Sequence, residues 1–403
     1  MRFSQVLGLV LTGALLLLGA GPSSASPGDT ITRAGWWTPL GVVVGADGTA
    51  YIGDLSGKGV SVVPAGASEP SRILSTNLLT NGLGLSGDGT LYLEGTDPDT
   101  RQEQIGVIPK GGDGVTRTIP VSQGAHLIAV ASDGTVYVPN YGSGTVSVIP
   151  PGADTIAREI AVGAGPREVA IARDGTAYVT NQVAGTVSVI PASAGRVSRT
   201  IQVSSAPGRT DNPHGIAVGP DGTVYVTDIT ANEVAVIRPG GTAVAYRVPV
   251  RYPKEVAVAS DGTAYVLSTA QNLSVIRPGG RAIARSAAVS ASPGHLAVTP
   301  KGSVLVTNPE DQTVSVLGPE LLQPIAPTAS GNPSATPQAQ AVGSSPQTQS
   351  NGGNSRPGDG MPVILGTSAL VLLAAAGTVI AVARRRRRPA AHGTLATAPD
   401  RTA

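Results

Sequence analysis

The phrase Arg-Asp-Gly-Thr-Ala-Tyr-Val-Thr-Asn at residues 173–181 returns, lightly altered, along most of the chain. Aligned on Asp174, its copies fall at Asp47, Asp88, Asp133, Asp174, Asp221, Asp261 and Lys301, in steps of 41, 45, 41, 47, 40 and 40 residues. A unit of about 40–45 residues is the length of a four-stranded blade, and seven copies predict an all-β, seven-bladed β-propeller. In the copy around Asp174, Val169–Ala172 is a short apolar run, Asp174-Gly175 is hairpin-turn chemistry and Thr176–Thr180 is rich in β-formers. Thr186–Ile190 and Val197–Val203 complete strands C and D. One such sheet cannot bury both faces alone. Seven around a common axis bury one another's.

The same reading assigns Glu94–Gln104 to the B–C loop of blade 2, the longest and most acidic, and expects it to protrude. Ring closure has two candidate segments. Residues 29–36 are expected to supply the outer strand of blade 7, because Thr30-Ile31-Thr32-Arg33 resembles Thr116-Arg117-Thr118-Ile119, with Leu321–Ile325 as the competitor. Trp36 and Trp37 are expected to cover that seam.

Beyond the propeller, assigned to residues 29–320, the ends carry targeting patterns. Arg2, the apolar run Val6–Ala20 and Ser23-Ser24-Ala25 read as a signal peptide over residues 1–25. Residues 321–361, rich in Pro, Ser, Gln, Gly and Asn, read as a disordered linker. The uncharged run 362–383 is long enough to span a bilayer as a helix, and Arg384–Arg388 opens a basic cytoplasmic tail over residues 384–403. The expected localisation is the cell membrane, single-pass, with the propeller outside; retention there is preferred to sortase-type wall attachment. No cysteine occurs, so neither a lipid-modified cysteine nor a disulfide framework is available. Between Ser26 and Ala383 there are 21 Lys and Arg against 25 Asp and Glu, so the basic tail dominates the net charge of +2. That balance, with only 3% aromatics, excludes nucleic acid as a partner.

Two rings of polar residues follow from the repeat. Seven positions before each anchor stand Leu40, Asn81, His126, Arg167, His214, Lys254 and Gly294, and one later Gly41, Gly82, Leu127, Glu168, Gly215, Glu255 and His295. His126, Arg167, Glu168, His214, Lys254, Glu255 and His295 are therefore candidate binding residues at one mouth of the central channel. One reading has Glu168, Glu255 and the histidines hold a divalent cation or act as acid and base, with His214, Glu255 and His295 as catalytic candidates. The other has them line a solvated channel and pair among themselves, Lys254 with Glu255. Seven positions after each anchor stand Asp54, Gly95, Asn140, Asn181, Asp228, Ser268 and Asn308, expected to close the B–C turn by bonding the backbone two residues on. Gly-x-Ser-x-Gly, His-Glu-x-x-His, P-loop and EF-hand patterns are absent.

Val136-Tyr-Val-Pro-Asn140, Tyr178-Val-Thr-Asn181 and Tyr225-Val-Thr-Asp228, with Thr-Val-Ser-Val-Ile at 145–149 and 186–190, resemble the YVTN repeats of bacterial surface propellers. Asn212-Pro-His-Gly-Ile-Ala-Val-Gly-Pro-Asp-Gly222 is similar to the NHL and streptogramin-lyase repeat. The first resemblance is one of fold, and with it the expected function is a non-catalytic binding scaffold at the cell surface, needing no cofactor and engaging an extracellular protein, envelope component or small molecule as a monomer. The second implies a propeller lyase that uses a metal with a histidine and carboxylates on an extracellular small molecule; His214-Gly215 matches its repeat phrase. The scaffold is the expectation and the lyase the alternative.

Overall fold

The computed structural model describes residues 30–319 except 36, 126 and 204–211. The segments expected to be signal peptide, linker, membrane span and basic tail, with Leu321–Ile325, Trp36 and His126, lie outside the described residues. The chain divides into two units, Met1–Ser330 and Gly331–Ala403, and all that is described belongs to the first. Among the described residues no helix is long and apolar enough to cross a membrane.

Seven four-stranded antiparallel sheets follow one another, each in the order A-B-C-D. Blade 4 shows the pattern, with Pro166–Ile171, Ala177–Asn181, Thr186–Ile190 and Arg199–Gln202 as its strands. The A–B hairpin is set by the repeat phrase itself. Asp174 Oδ1 accepts from Thr176 N at 2.9 Å while Gly175 takes φ 81°, the left-handed turn that glycine adopts without cost. The equivalent Asp-to-Thr bond recurs in blades 1, 2, 3, 5 and 6. These aspartates serve the turn. Their bonds to the Thr amides and hydroxyls hold the carboxyls of Asp47 and Asp174 below the ordinary range.

Alternation along each B strand decides how the blades pack. Tyr178 enters a cluster shared with blade 5 while Val179 enters one shared with blade 3. Strand B is thus buried on both faces. Every hydrophobic cluster of the described residues straddles two adjacent blades, including one that joins blade 7 to blade 1 through Ile31, Leu305 and Val314 on one side and Val42 and Ile52 on the other.

Closure is made by the N-terminal segment. Thr30 and Ile31 pair antiparallel with Ser315 and Val314, so the first described residues form the outer strand of blade 7. Behind them Trp37 is fully buried and its indole N–H donates to the Gln312 carbonyl. The Arg33 guanidinium lies 3.2 Å from Asp54 Oδ2, donates to Ser61 Oγ at 3.3 Å and stands 5.5 Å from the Trp37 ring centre. The side chains of this ion pair are 8% and 0% exposed, so neither charge can be left to water.

Blade 2 departs from the sequence expectation. Its B strand runs Leu91–Thr96 and its C strand Glu103–Ile108, with Gly95 paired to Gln104 and Thr96 to Glu103. The expected loop from Glu94 to Gln104 shrinks to residues 97–102, and Glu94 is buried instead of protruding. Glycine at position 95 lowers strand propensity in isolation, but the ladder on both sides overrides it.

Removing the closing cation tests this account. Arg33→Met should destabilise the fold by about 3–5 kcal/mol in denaturant titration, since it strands a buried carboxylate. Adding Asp54→Asn should recover most of that loss; no recovery would mean that the pair is not what closes the ring.

Candidate functional site

The channel-mouth residues sit where strand A begins, and there the ladder is irregular. Register shifts fall between Pro166 and Val169 in blade 4, Pro213 and Ile216 in blade 5, and Pro253 and Glu255 in blade 6. Arg167, Glu168, His214, Gly215 and Lys254 are the residues spanned by these bulges, which re-aim side chains away from the pleat. Proline opens each of these strands, where a missing N–H does least harm to the ladder.

Strand-B threonines fasten the bulges. Thr180 Oγ1 accepts from Glu168 N at 3.2 Å and donates across the interface to the His214 carbonyl at 3.1 Å. Thr227 accepts from Gly215 N at 2.7 Å and donates to the Lys254 carbonyl at 2.8 Å. Thr307 accepts from His295 N at 2.9 Å and donates to the Leu40 carbonyl at 2.8 Å, across the ring seam. One hydroxyl thereby locks two neighbouring bulges. Gly215 is required by the same closeness: a Cβ there would stand 2.7 Å from the Lys254 carbonyl oxygen and 2.9 Å from Glu255 Cα.

The result is a compact charged cluster. Ligand atoms of Glu168, His214 and Glu255 all lie within 4.8 Å of one another. His214 Nδ1 is 3.6 Å from Glu255 Oε1, and His295 Nδ1 is 4.0 Å from Glu255 Oε2. Lys254 does not pair directly with Glu255; its ammonium donates to the Pro293 and Gly294 carbonyls at 3.4 and 2.9 Å. His126 falls outside the described residues, so six of the seven candidate positions can be placed, and five of them, Glu168, His214, Glu255, His295 and Lys254, contribute to this corner of the mouth. Arg167 supports it by charge: its guanidinium acts on Glu168, Glu255, His214 and His295.

Burial governs the electrostatics. It raises the Glu168 carboxyl well above the usual range, and the neighbouring Glu255 charge raises it further. Burial also raises Glu255, against the opposing charges of Lys254 and Arg167. Two carboxyls this close share a proton more readily than they both ionise, which fits the upward direction of both shifts. Burial and the surrounding cations push His214 well below its ordinary value and His295 down to about 3, so both imidazoles are neutral. Glu168 Oε2, Glu255 Oε1 and His214 Nδ1 are buried with no hydrogen-bond partner. Two carboxylates and an imidazole are a donor set for a small divalent cation, and each residue brings one ligand atom within 4.8 Å of the others; the residues fit such an ion.

Comparison with known proteins agrees with this architecture. The family model described as "Lactonase, 7-bladed beta-propeller" matches residues 95–277, which hold the cluster except for His295. The chain has the seven-bladed β-propeller fold. A solved structure of virginiamycin B lyase from Staphylococcus aureus is similar over 72% of this chain and 97% of its own, with 14% identity and a TM-score of 0.59. A streptogramin B lyase structure is similar over 72% and 96%, with 16% identity and a TM-score of 0.60. Hydrazine synthase from Kuenenia stuttgartiensis is similar over 75% and 98%, with 20% identity and a TM-score of 0.60. At these identities the likeness is one of fold. No curated protein matches the chain in sequence.

The propeller's second polar ring divides in two. Asp54 Oδ1 accepts from Ser56 N at 2.9 Å and Asp228 Oδ1 from Thr230 N at 3.1 Å, the expected turn closure. Asn140, Asn181 and Asn308 act differently: each Nδ2 donates to a Thr Oγ1 at 3.0 Å and a Ser Oγ at 2.9 Å on strand C. An amide has donors that a carboxylate lacks, so Asn ties B to C where Asp caps the loop.

Glu94 was missed from the sequence as a channel-side group. It stands six residues after its anchor, the place of Thr180, Thr227 and Thr307, and its Oε2 accepts from Asn81 Nδ2 at 2.9 Å. The signal was a glutamate where three of the sister repeats carry threonine and none carries a charge. Burial, reinforced by the nearby Glu103 charge and opposed by the Asn81 bond, pushes its carboxyl up to about 7. Its folded value lies above the unfolded one, so the stability it contributes is complete below about pH 4.5 and is lost as pH rises through about 7. The difference amounts to about 3 kcal/mol. Glu94→Gln, neutral at every pH, should flatten the fall in melting temperature between about pH 5 and about pH 8 and leave the variant more stable than the parent at the upper end. An unchanged profile would show that Glu94 does not carry it.

Proposed function

We propose that this protein is a membrane-anchored, extracytoplasmic propeller whose channel mouth binds a divalent cation and acts there on a small molecule, in the manner of a lyase or lactonase. The observation that carries the reading is the convergence of Glu168, His214 and Glu255, from three successive blades, on one point within 4.8 Å. Burying unpaired carboxylates is costly, and a scaffold of rigid loops gains nothing from it. A cation site does, since the ion satisfies the orphaned oxygens and nitrogen together.

In this reading Glu168, Glu255 and His214 hold the ion, which supplies Lewis-acid polarisation of a carbonyl or ring-ester oxygen. Lys254, tethered to the Pro293 and Gly294 carbonyls, keeps a positive charge beside Glu255 and favours its ionised form. His295 remains neutral beside Glu255, where its ring can hydrogen-bond a substrate without adding charge to the site. Reaction type is suggested by the printed names of the matched family and similar structures, a lactonase and two streptogramin-type lyases. The run Val6–Ala20 supports export, and residues 362–383 followed by Arg384–Arg388 support an anchor with the propeller outside. A closed ring of blades that bury one another's faces leaves only short sheet edges, which supports a monomer.

Calorimetry with Mn²⁺ tests the reading. The full chain should bind one ion, and Glu255→Gln and His214→Ala should each weaken it by about 10-fold or more, while Asp174→Asn, in an exposed turn, should leave it unchanged. Absence of saturable binding by the parent protein would refute the cation site, and lactone turnover that survives chelation would refute its part in the chemistry.

A further inference from the structure

Nine residues before each anchor, in the loop that leads from strand D into strand A, stand Thr38, Leu79, Gly124, Gly165, Asn212, Tyr252 and Ser292. In blades 1, 3, 4, 5 and 6 the carbonyl of this residue accepts the amide eight residues after the anchor, so the backbone job is one and the same. Gly124 and Gly165 do it at φ 83° and 65°, in the left-handed region. Blade 6 puts a tyrosine there at φ 47°. A bulky side chain in that region costs energy, of order 1–3 kcal/mol, and the surrounding structure must enforce it. Two bonds do: Asn232 Oδ1 accepts from Tyr252 N at 2.8 Å, and Tyr252 O accepts from Thr269 N at 3.1 Å.

The ring is not buried in return. Tyr252 is 43% exposed, and its face carries the Arg251 guanidinium at 5.4 Å from the ring centre. Arg251 and Tyr252 form one wall of an open cavity of about 530 Å³ whose other wall is Thr269, Ala270 and Gln271 from the B–C loop. That volume is in the range of small-molecule sites. The positive φ of Gln271 adds nothing to the case, because Gly144 and Gly185 take the same conformation at the equivalent turn. Tyr252 is different, since glycine would serve the fold there and tyrosine packs into no core.

The groove also has a fixed relation to the axial cluster. Only Pro253 and Lys254 separate Tyr252 from Glu255, at most about 10 Å of chain. A ligand of modest size can reach from one to the other.

We propose that this groove is a recognition subsite for a planar aromatic acid or aryl carbonyl group, the distal part of the molecule whose reacting end lies at the axial cluster. Tyr252 supplies a stacking face, Arg251 a fork of donors for the acid or carbonyl oxygens, and Thr269 and Gln271 further polar partners. The assignment rests on the reading of the channel mouth for the reacting end only; the groove's own chemistry stands on the residues that line it.

Ligand-observed NMR on the full chain with naphthalene carboxylate, and cyclohexane carboxylate as the saturated control, tests the subsite. The aromatic acid should bind the parent protein and the saturated acid at least about 10-fold more weakly. Tyr252→Gly and Arg251→Ala should each weaken naphthalene carboxylate by about 10-fold or more, and Tyr252→Phe should retain it. Tyr252→Gly should also leave the melting temperature unchanged or raise it, because the strain goes with the side chain. Equal binding of the two acids, or full affinity in Tyr252→Gly, would overturn the proposal, as would a lowered melting temperature with unchanged affinity, which marks a structural tyrosine. Mn²⁺ binding by Tyr252→Gly should match the parent, and naphthalene carboxylate binding by Glu255→Gln should too. The two arms therefore fail separately: loss of the ion alone counts against the channel-mouth reading, and loss of aromatic selectivity alone counts against the groove.

Discussion

The constraint on which the molecule depends is that no blade owns a core. Each B strand is buried on both faces, and its alternate residues belong to different neighbours, as Tyr225 packs toward blade 6 and Val226 toward blade 4. The hydrophobic driving force therefore acts between sheets, and it is satisfied only when the last interface is made. That gives the closing segment an importance out of proportion to its length. Two paired residues, a buried tryptophan and one buried ion pair complete the interface between blades 7 and 1.

Packing of this kind also determines where chemistry can be placed. Flat strands bound face to face leave the axis as the one region where side chains of several blades meet without sharing a core. The bulges at the start of strand A turn residues toward it, and the strand-B threonines fix each bulge to the next blade's backbone. Glu168, His214 and Glu255 are distant in sequence, yet each is positioned by the same device repeated one blade on. Rigidity of the site is thus inherited from the ring and needs no dedicated loop.

Much of the fold was legible because it is written seven times. The Asp-Gly-Thr turn gives the register of each hairpin, and from register follow the blade count, the outer strand at Thr30–Ile31 and the row of polar residues at the channel mouth. What the repeat could not convey was the use of individual atoms. Counting back from an anchor places Lys254 beside Glu255 but does not show that its ammonium turns to the Pro293 and Gly294 carbonyls. Likewise Asp and Asn look interchangeable as turn formers in a sequence, whereas the extra donors of Asn140 and Asn181 reach across to strand C. Glu94 was misread for a different reason: an acidic residue next to glycine suggests a loop, and only the pairing of Gly95 with Gln104 shows the strand continuing past it.

Comparison among the repeats is a sharper instrument than comparison with other proteins at this level of identity. Sister blades share a backbone, so a residue that breaks the pattern is measured against what the fold requires at that position. Glu94 in place of threonine exchanges a hydroxyl that can accept and donate at once for a carboxyl that must keep its proton to do the same; burial at that position supplies the shift that keeps it. Tyr252, in the left-handed conformation that Gly124 and Gly165 adopt at the same position, accepts backbone strain to expose a ring. His214 and Glu255 in place of the leucine and glycine of blade 1 bring polar atoms to a site without enough partners for them. All three departures fall at the beginning of strand A or beside it, on one face of the ring. A fold assembled from interchangeable parts can tolerate such residues only where its shared core does not reach, and the same place is where a ligand can.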